Sequence, residues 1–157
     1  IIEKPAFRIV GIRMKLVDDM EENQKNVPLF WEHTLNDSSF SDLCTLNNAV
    51  PNGILGISVY ENPQNIFYYI AASSSSKAPD GMCEYEIPAS TWVVFENDGY
   101  FKENVQSVFK RFYTEWLPFS GYEYAGLPDI EVYPIQNKTI QCGHSEVWIA
   151  VKKEKEN

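Results

Sequence analysis

The stretch DIEVY, residues 129–133, decides how this chain is expected to fold. Its alternation of apolar and other side chains predicts a β-strand with Ile130 and Val132 on one face and Glu131 and Tyr133 on the other. A carboxylate at such a position either faces water or lies in a pocket. On the pattern alone, a solvated glutamate is the more general explanation, because buried glutamates are rare.

A shorter echo of this stretch occurs in the first half of the chain, where ISVY at 57–60 matches IEVY at 130–133. Each copy follows a predicted strand and helix and precedes a turn and a further strand. The shared order predicts a duplicated β-α-β-β unit, with pseudo-repeats over about 5–75 and 82–152. Two such units would pair into one antiparallel sheet with both helices on one face. We therefore predict an α+β fold in a single domain, 1–157.

Apolar spacing and turn residues predict the other elements. Strands are expected at 7–16, 54–60, 65–72, 82–89 and 91–98, and helices at 22–36 and 104–117. In the first helix, Val27, Phe30, Trp31 and Thr34 recur at helical spacing and are expected to form its buried face. We expect Pro28 to be tolerated only near the start of that helix, and we expect Pro118 to end the second helix. Residues 38–53 are expected to form a loop, and the strands on either side of Pro88 a pair.

Composition and charge narrow the class of partner. Nine Tyr, nine Phe and four Trp make up 14% of the chain, and such side chains suit a ligand cavity as well as a core. The formal net charge of −9 excludes this chain as a direct nucleic-acid binder, since phosphate contacts require basic surface. Anionic membranes are excluded on the same ground.

Three widely separated cysteines, without a CxxC pair, argue against a disulfide framework or a zinc site. His33 and His144 have no partners at metal-ligand spacing, so we expect no metal and no cofactor. No signal peptide and no apolar run of membrane-spanning length is visible. These features predict a cytoplasmic protein.

Several quoted stretches, taken in order, resemble one family. They are FRIVGIR, PLFW, GISVY, FYYIAA, GMCEYEIPA, TWVVFENDG, EWLPFSGYEYAGLPDIEVY and SEVWIAVK. Together they are similar to the gyrase-inhibitor-like (GyrI-like) family, the effector-binding domain of AraC-type and MerR-type bacterial regulators. The resemblance implies SHS2-like β-α-β-β units with a ligand groove between the halves. It also implies a small organic ligand, often a lipophilic or aromatic cation, in an aromatic pocket with a buried glutamate.

The resemblance also implies which residues line the pocket. Glu131 carries over as the pocket glutamate and Trp31 as the aromatic residue of the first helix. The aromatic position of the FYY strand carries over to Tyr69, and Glu146 matches a second recurrent acidic position. The residues predicted to bind the ligand are Glu131, Tyr133, Tyr69, Trp31, Phe67, Trp148 and Glu146. Glu131 would supply the counter-charge and the rings would supply cation–π contacts.

Three functions compete at this point. The first is the sensing domain of a transcription regulator, whose helix-turn-helix would lie outside this chain and make the DNA contacts. The second is a stand-alone protein that sequesters drugs or toxins. The third is a hydrolase of cyclopropane-containing toxins, in which Glu131 would act as general base and Tyr69 or Tyr133 would orient the substrate. Because no nucleophile–base–orienter set is visible in the sequence, catalysis ranks last.

Overall fold

A computed structural model describes residues 1–49, 51–98, 110–136, 139–140 and 144–153. The strands are β1 (Ile2–Lys4), β2 (Phe7–Lys15), β3 (Ile54–Asn62), β4 (Asn65–Ser73), β5 (Cys83–Ile87), β6 (Ser90–Asp98), β7 (Tyr122–Tyr124), β8 (Ile130–Tyr133), β9 (Ile135–Gln136), β10 (Thr139–Ile140) and β11 (His144–Lys153). The helices are α1 (Met20–Leu35), α2 (Ser38–Leu46), the π-helical segment π1 (Phe112–Trp116) and α3 (Leu117–Ser120).

Nine strands form one antiparallel sheet in the order β1-β6-β11-β8-β3-β4-β2-β5, with β7 also paired to β11. The predicted α+β class with one antiparallel sheet is confirmed. At the centre of the sheet, β3 and β8 pair so that Ile57 lies directly opposite Ile130. These two isoleucines are also equivalent in the ISVY and IEVY echo. Antiparallel pairing of equivalent residues is what two related units joined by a two-fold axis would produce; the boundaries of the repeats stay a prediction.

The β1–β6 pair and the β2–β5 pair stand at the two ends of the strand order, yet the chain runs directly from one pair into the other. This continuity makes the sheet curl. Lys4 pairs with Ser90 in the β1–β6 ladder, and Phe7 pairs with Ile87 in the β2–β5 ladder. Two residues on each chain separate these pairs, so the register continues unchanged across a corner that contains a proline on both chains. Proline interrupts a ladder because it has no N–H to donate. The curl brings Ile9, Ile87, Trp92 and Ile130, from distant strands, into one buried cluster.

The two faces of the sheet bury different sets of side chains. The cluster just described, which we call the inner core, fills the face that carries no helix. On the other face, α1 and α2 pack around Leu43, Ile54, Tyr68 and Ile70. Also on that face, π1 and α3 pack against β6 and β11 around Phe112 and neighbouring apolar side chains. Both helical layers therefore cover the same side of the sheet, as predicted.

The first helix begins where its sequence provides a cap. Asp19 accepts hydrogen bonds from the backbone N–H groups of Glu21 and Glu22 at 3.0 and 3.4 Å, so α1 starts two residues earlier than predicted. Pro28 therefore lies well inside the helix, and the expectation that it stands near the start was wrong. The buried face of α1 is the predicted one, with Trp31 packed on the sheet and Thr34 only 1% exposed.

Residues 38–46 form a helix, so the prediction of a loop from 38 to 53 was wrong for its first half. The carboxylate of Asp37 accepts from the backbone N–H of Ser39 at 3.2 Å and caps the helix. Phe40, Leu43 and Cys44 then recur at helical spacing and pack on the sheet. A chain rich in Ser, Asn and Asp is typical of both loops and capped helix starts, and here the apolar spacing decides.

The first part of the predicted second helix, 104–109, lies outside the described residues, and its remainder, 110–117, is described. Pro118 does not end it: this residue lies in the first turn of α3, where a missing N–H is tolerated. The helix ends instead at Gly121, whose φ of 76° is the left-handed conformation that glycine favours. The short strands β1 and β7 were not predicted. The strands beside Pro88 do not form a pair with each other, since β5 pairs with β2 and β6 with β1 and β11.

Candidate functional site

Glu131 lies on the helix-bearing face of β8, at the junction of the two halves. Ile130 and Val132 point into the inner core, as the alternation predicted, and Glu131 and Tyr133 point the other way, toward α1. Glu131 keeps part of its surface exposed, but protein surrounds its carboxylate. Burial therefore raises the pKa of this carboxyl group above its usual value, and the hydrogen bond from Tyr133 only partly opposes the rise.

Two tyrosine hydroxyls lie around this carboxylate. The Tyr133 hydroxyl donates to Oε2 of Glu131 at 2.6 Å, a short, charge-assisted hydrogen bond. Burial and the nearby Glu131 charge raise the pKa of both Tyr133 and Tyr68. Both tyrosines therefore remain neutral donors at physiological pH. Within the described ranges, no lysine, arginine or histidine forms an ion pair with Glu131.

Trp31, from α1, covers the site. Its indole Nε1 donates to the Tyr68 hydroxyl at 2.9 Å, and its ring meets the Tyr133 ring edge-on with centroids 5.1 Å apart. The two tyrosines are 7% and 4% exposed, so the rings pack closely over the carboxylate. An incoming ligand would have to move these rings, and the exposed part of Glu131 is the side from which it could approach.

Gly56 makes room for this cluster. It lies directly opposite Glu131 in the β3–β8 ladder. A Cβ at this position would overlap the Tyr68 hydroxyl and would lie 3.2 Å from Cζ2 of Trp31 and 3.3 Å from Oε2 of Glu131. Three functional side chains therefore converge on a residue that has no side chain. Trp31, Gly56, Tyr68, Glu131 and Tyr133 are called the Glu131 site below.

The structure brings together only part of the predicted ligand-binding set. Trp31, Glu131 and Tyr133 meet in the Glu131 site. The other four predicted residues lie on the opposite face of the sheet: Phe67, Tyr69, Glu146 and Trp148. Of the two tyrosines considered for hydrolysis, Tyr69 is separated from Glu131 by the sheet, whereas Tyr133 bonds Glu131 directly.

Packing accounts for the residues on the opposite face. Tyr69 is 1% exposed and Trp148 is 4% exposed, both within the inner core. The Arg13 guanidinium already lies 3.9 Å from the centroid of the Phe67 ring and also bonds the Tyr69 hydroxyl at 3.3 Å. On the face that carries Phe67 and Tyr69, the Arg13 guanidinium therefore already makes the cation contact with these rings. Roles in ligand binding for these residues stay predictions.

Sequence reasoning missed Tyr68 and Gly56. Strand β4 carries aromatic or aliphatic side chains on both faces, so alternation does not reveal whether Tyr68 or Tyr69 faces the helices. Gly56 carried a usable indication, because a glycine between Leu55 and Ile57 inside a strand often marks a close approach of another group.

A second feature of this face is a groove of about 630 Å³ beside α1, lined by Met14, Asn26, Leu29, Phe30, Glu32, His33 and Asn36. The groove is open to solvent and contains no buried charge. Ligand sites usually combine enclosed apolar walls with a few placed polar groups, and the Glu131 site meets that description better. Within the described ranges no helix has both the length and the apolar character needed to cross a bilayer.

The curled antiparallel sheet with two helical layers on one face is the α+β fold of GyrI-like effector-binding domains. The chain belongs to the Cass2 family, described as integron-associated effector binding protein, whose model matches residues 1–151. The expected resemblance to GyrI-like domains is thereby confirmed. None of the curated proteins matches the chain in sequence.

Solved structures share the fold at low identity. A candidate bacterial transcription regulation protein from Staphylococcus aureus MU50 is 23% identical, with a TM-score of 0.76 over 96% of this chain and 95% of the other. SAV2435 bound to tetraphenylphosphonium is 22% identical, with a TM-score of 0.78 over 96% and 91%. The C-terminal domain of EcmrR is 16% identical, with a TM-score of 0.56 over 97% and 95%. At these identities the likeness establishes the fold.

Proposed function

We propose that this chain is the ligand-sensing domain of a bacterial transcription regulator of AraC type, and that it binds a lipophilic organic cation against Glu131. The observation that carries the proposal is the Glu131 carboxylate, enclosed by rings and hydrogen-bonded by a tyrosine hydroxyl, with no basic side chain paired to it among the described residues. A buried carboxylate without a counter-ion is costly to keep ionised, and a cationic ligand would supply that counter-ion.

The rings around the carboxylate favour an aromatic or lipophilic cation over a small hydrated one. Trp31, Tyr68 and Tyr133 offer apolar area and π faces, and each cation–π contact contributes on the order of 0.5–2 kcal/mol. One charge and several flat rings impose little shape selection, so we expect several unrelated cations to bind. The structure of SAV2435 bound to tetraphenylphosphonium supports this cation as the first probe.

The net charge of −9 supports a regulator in which this chain binds the ligand and a helix-turn-helix domain outside it makes the DNA contacts. The match to EcmrR is consistent with that arrangement, because this chain corresponds to 56% of the EcmrR chain in an EcmrR–DNA complex. Such a regulator would act in the cytoplasm. A stand-alone binding protein would use the same Glu131 site and differ only in lacking the DNA-binding partner domain.

Titration calorimetry with tetraphenylphosphonium tests the binding proposal. Glu131→Gln should weaken binding at least tenfold, because the neutral amide keeps the shape of the side chain and removes its charge. Glu123→Gln is the matched control, since it removes one half-exposed carboxylate that pairs with Lys152 outside the Glu131 site, and it should leave the affinity unchanged. Equal weakening by both substitutions, or unaltered binding in Glu131→Gln, would remove Glu131 from the account.

A further inference from the structure

A second carboxylate lies beside Glu131 on the same side of the sheet. Asp129 immediately precedes β8, and two residues of extended chain separate its Cα from that of Glu131 by about 6.6 Å. Its charge acts on Tyr113 of π1, which packs on the helix-bearing face, so Asp129 points to that face as well. Both carboxylates therefore lie on the helix-bearing face, Glu131 beside α1 and Asp129 beside π1.

Asp129 is short of hydrogen-bond partners. Its Oδ1 is buried and has no partner within the part of the chain that the structure describes. The Tyr124 hydroxyl interacts with Asp129, but its single proton is also donated to the backbone carbonyl of Leu127 at 3.0 Å. Burial raises the pKa of Asp129 to about 6, helped by the charge of Glu131 and opposed by Tyr124. A buried carboxylate oxygen that lacks a hydrogen-bond donor favours a ligand that brings a donor or a positive charge.

Two accessible rings accompany Asp129. The centroids of Tyr113 and Tyr124 are 6.3 Å apart at an interplanar angle of 67°, and the side chains are 46% and 37% exposed. The charge of Asp129 adds to burial in raising the pKa of Tyr124 to about 12. Exposed aromatic rings beside a carboxylate that lacks hydrogen-bond donors are the groups that bind organic cations. Here the rings are open to solvent, whereas in the Glu131 site they close over the carboxylate.

The central strand pair relates this cluster to the Glu131 site. The Ile57–Ile130 pair lies at the junction of the halves, and Gly56 is opposite Glu131 on one side of it. Asp129 directly precedes Ile130, so the two carboxylates lie on either side of this pair along the chain. Each carboxylate lies near the aromatic residues of a different helical layer.

We propose that Asp129, Tyr113 and Tyr124 form a second cation subsite, and that this face of the sheet accepts elongated dicationic ligands with one charge at Glu131 and the other at Asp129. The Glu131 end rests on the proposed function above. The Asp129 end stands on its own residues. Two negative groups at this separation repel each other, and a ligand with two positive charges relieves both at once, which a monocation does not.

A matched pair of probes tests the inference. Benzyltrimethylammonium carries one cationic group on a benzene ring, and para-xylylenebis(trimethylammonium) carries two, at opposite ends of the same ring. Calorimetry at pH 7.5 should show that wild-type protein binds the dication at least tenfold more tightly than the monocation. In Asp129→Asn this preference should fall below threefold. In Glu131→Gln both probes should bind more weakly.

Glu123→Gln is the control for loss of a surface charge nearby. Glu123 lies on β7 and pairs with Lys152 at 3.5 Å, and both side chains are about half exposed, so its removal should leave the preference intact. Circular dichroism spectra that match the wild type should establish that each variant is folded. Monocation binding that needs Glu131, with an unchanged dication preference in Asp129→Asn, would overturn the second subsite and leave the proposed function standing. Dication binding that needs Asp129 but not Glu131 would overturn the proposed function and leave the second subsite standing. Wild-type protein that binds neither probe would contradict both the proposed function and the second subsite.

Discussion

Gly56 lies directly across the β3–β8 pair from Glu131, and the space where its side chain would be is occupied by the hydroxyl of Tyr68. The missing side chain at Gly56 leaves the space in which Trp31, Tyr68 and Glu131 meet. Close-packed interiors tolerate added methyl groups poorly, so the site depends on the smallest residue as much as on the charged one.

Gly56→Ala should destabilise the domain by about 1–3 kcal/mol, the usual cost of overpacking a filled site. The added Cβ would overlap the Tyr68 hydroxyl, so removing that hydroxyl should relieve the strain. We expect the double variant Gly56→Ala/Tyr68→Phe to lose less stability than the sum of the single variants. Guanidinium unfolding measures all four proteins, and strictly additive losses would show that the hydroxyl is not the obstacle.

Trp31→Phe should lower the free energy of unfolding by about 1–3 kcal/mol more than the loss of buried ring area alone would. The substitution removes the N–H that donates to the buried Tyr68 hydroxyl at 2.9 Å. Trp116→Phe is a comparison with the same change of side chain, at a ring that stacks on Phe112 with centroids 5.6 Å apart. Unfolding midpoints should fall further for Trp31→Phe. Equal losses in the two variants would mean that the indole hydrogen bond contributes nothing measurable.

Binding of tetraphenylphosphonium should strengthen as pH rises. Burial raises the pKa of Glu131, so part of the empty protein holds a proton there that a cation must displace. The dissociation constant should fall through that raised pKa and level off above it, with protons released on binding. Calorimetry in two buffers of different ionisation enthalpy counts the protons. In Glu131→Gln the proton release should decrease, and release that persists undiminished would assign it to another group.

Asp129→Asn should stabilise the protein at pH 7.5 more than at pH 4. The folded-state pKa of Asp129 is about 6 against an ordinary 3.8, so between these values the folded chain binds more protons than the unfolded chain. Stability contributed by this group is therefore present at low pH and is lost as pH rises through about 6. The change is worth at most about 3 kcal/mol.

Guanidinium unfolding of wild type and Asp129→Asn at the two pH values measures this difference. Glu123→Gln, which changes an exposed carboxylate, should show a much smaller pH-dependent difference. A variant that is equally or less stable than wild type at pH 7.5, with no gain relative to pH 4, would place Asp129 in solvent.

Local sequence patterns predicted which side chains of a strand share a face, because burial of one face enforces the alternation of apolar and polar residues. Ile130 and Val132 enter the inner core, and that leaves Glu131 and Tyr133 on the opposite side, as DIEVY predicted. The helical spacing around Trp31 was equally informative, since α1 buries the expected face. The helix at 38–46 was missed because its polar composition outweighed three apolar residues that acquire meaning only when a sheet surface lies beneath them.

The sequence by itself determined the class of fold, the family resemblance and the strand that carries the glutamate, because these depend on periodicity within single segments. Tertiary structure decided which residues of other strands share its face. Tyr68 joins Glu131 and Tyr69 does not, because the register between β3 and β4 selects one of two neighbouring tyrosines. Such a choice depends on the pairing of distant segments across a curled sheet, and no residue in β4 encodes it alone.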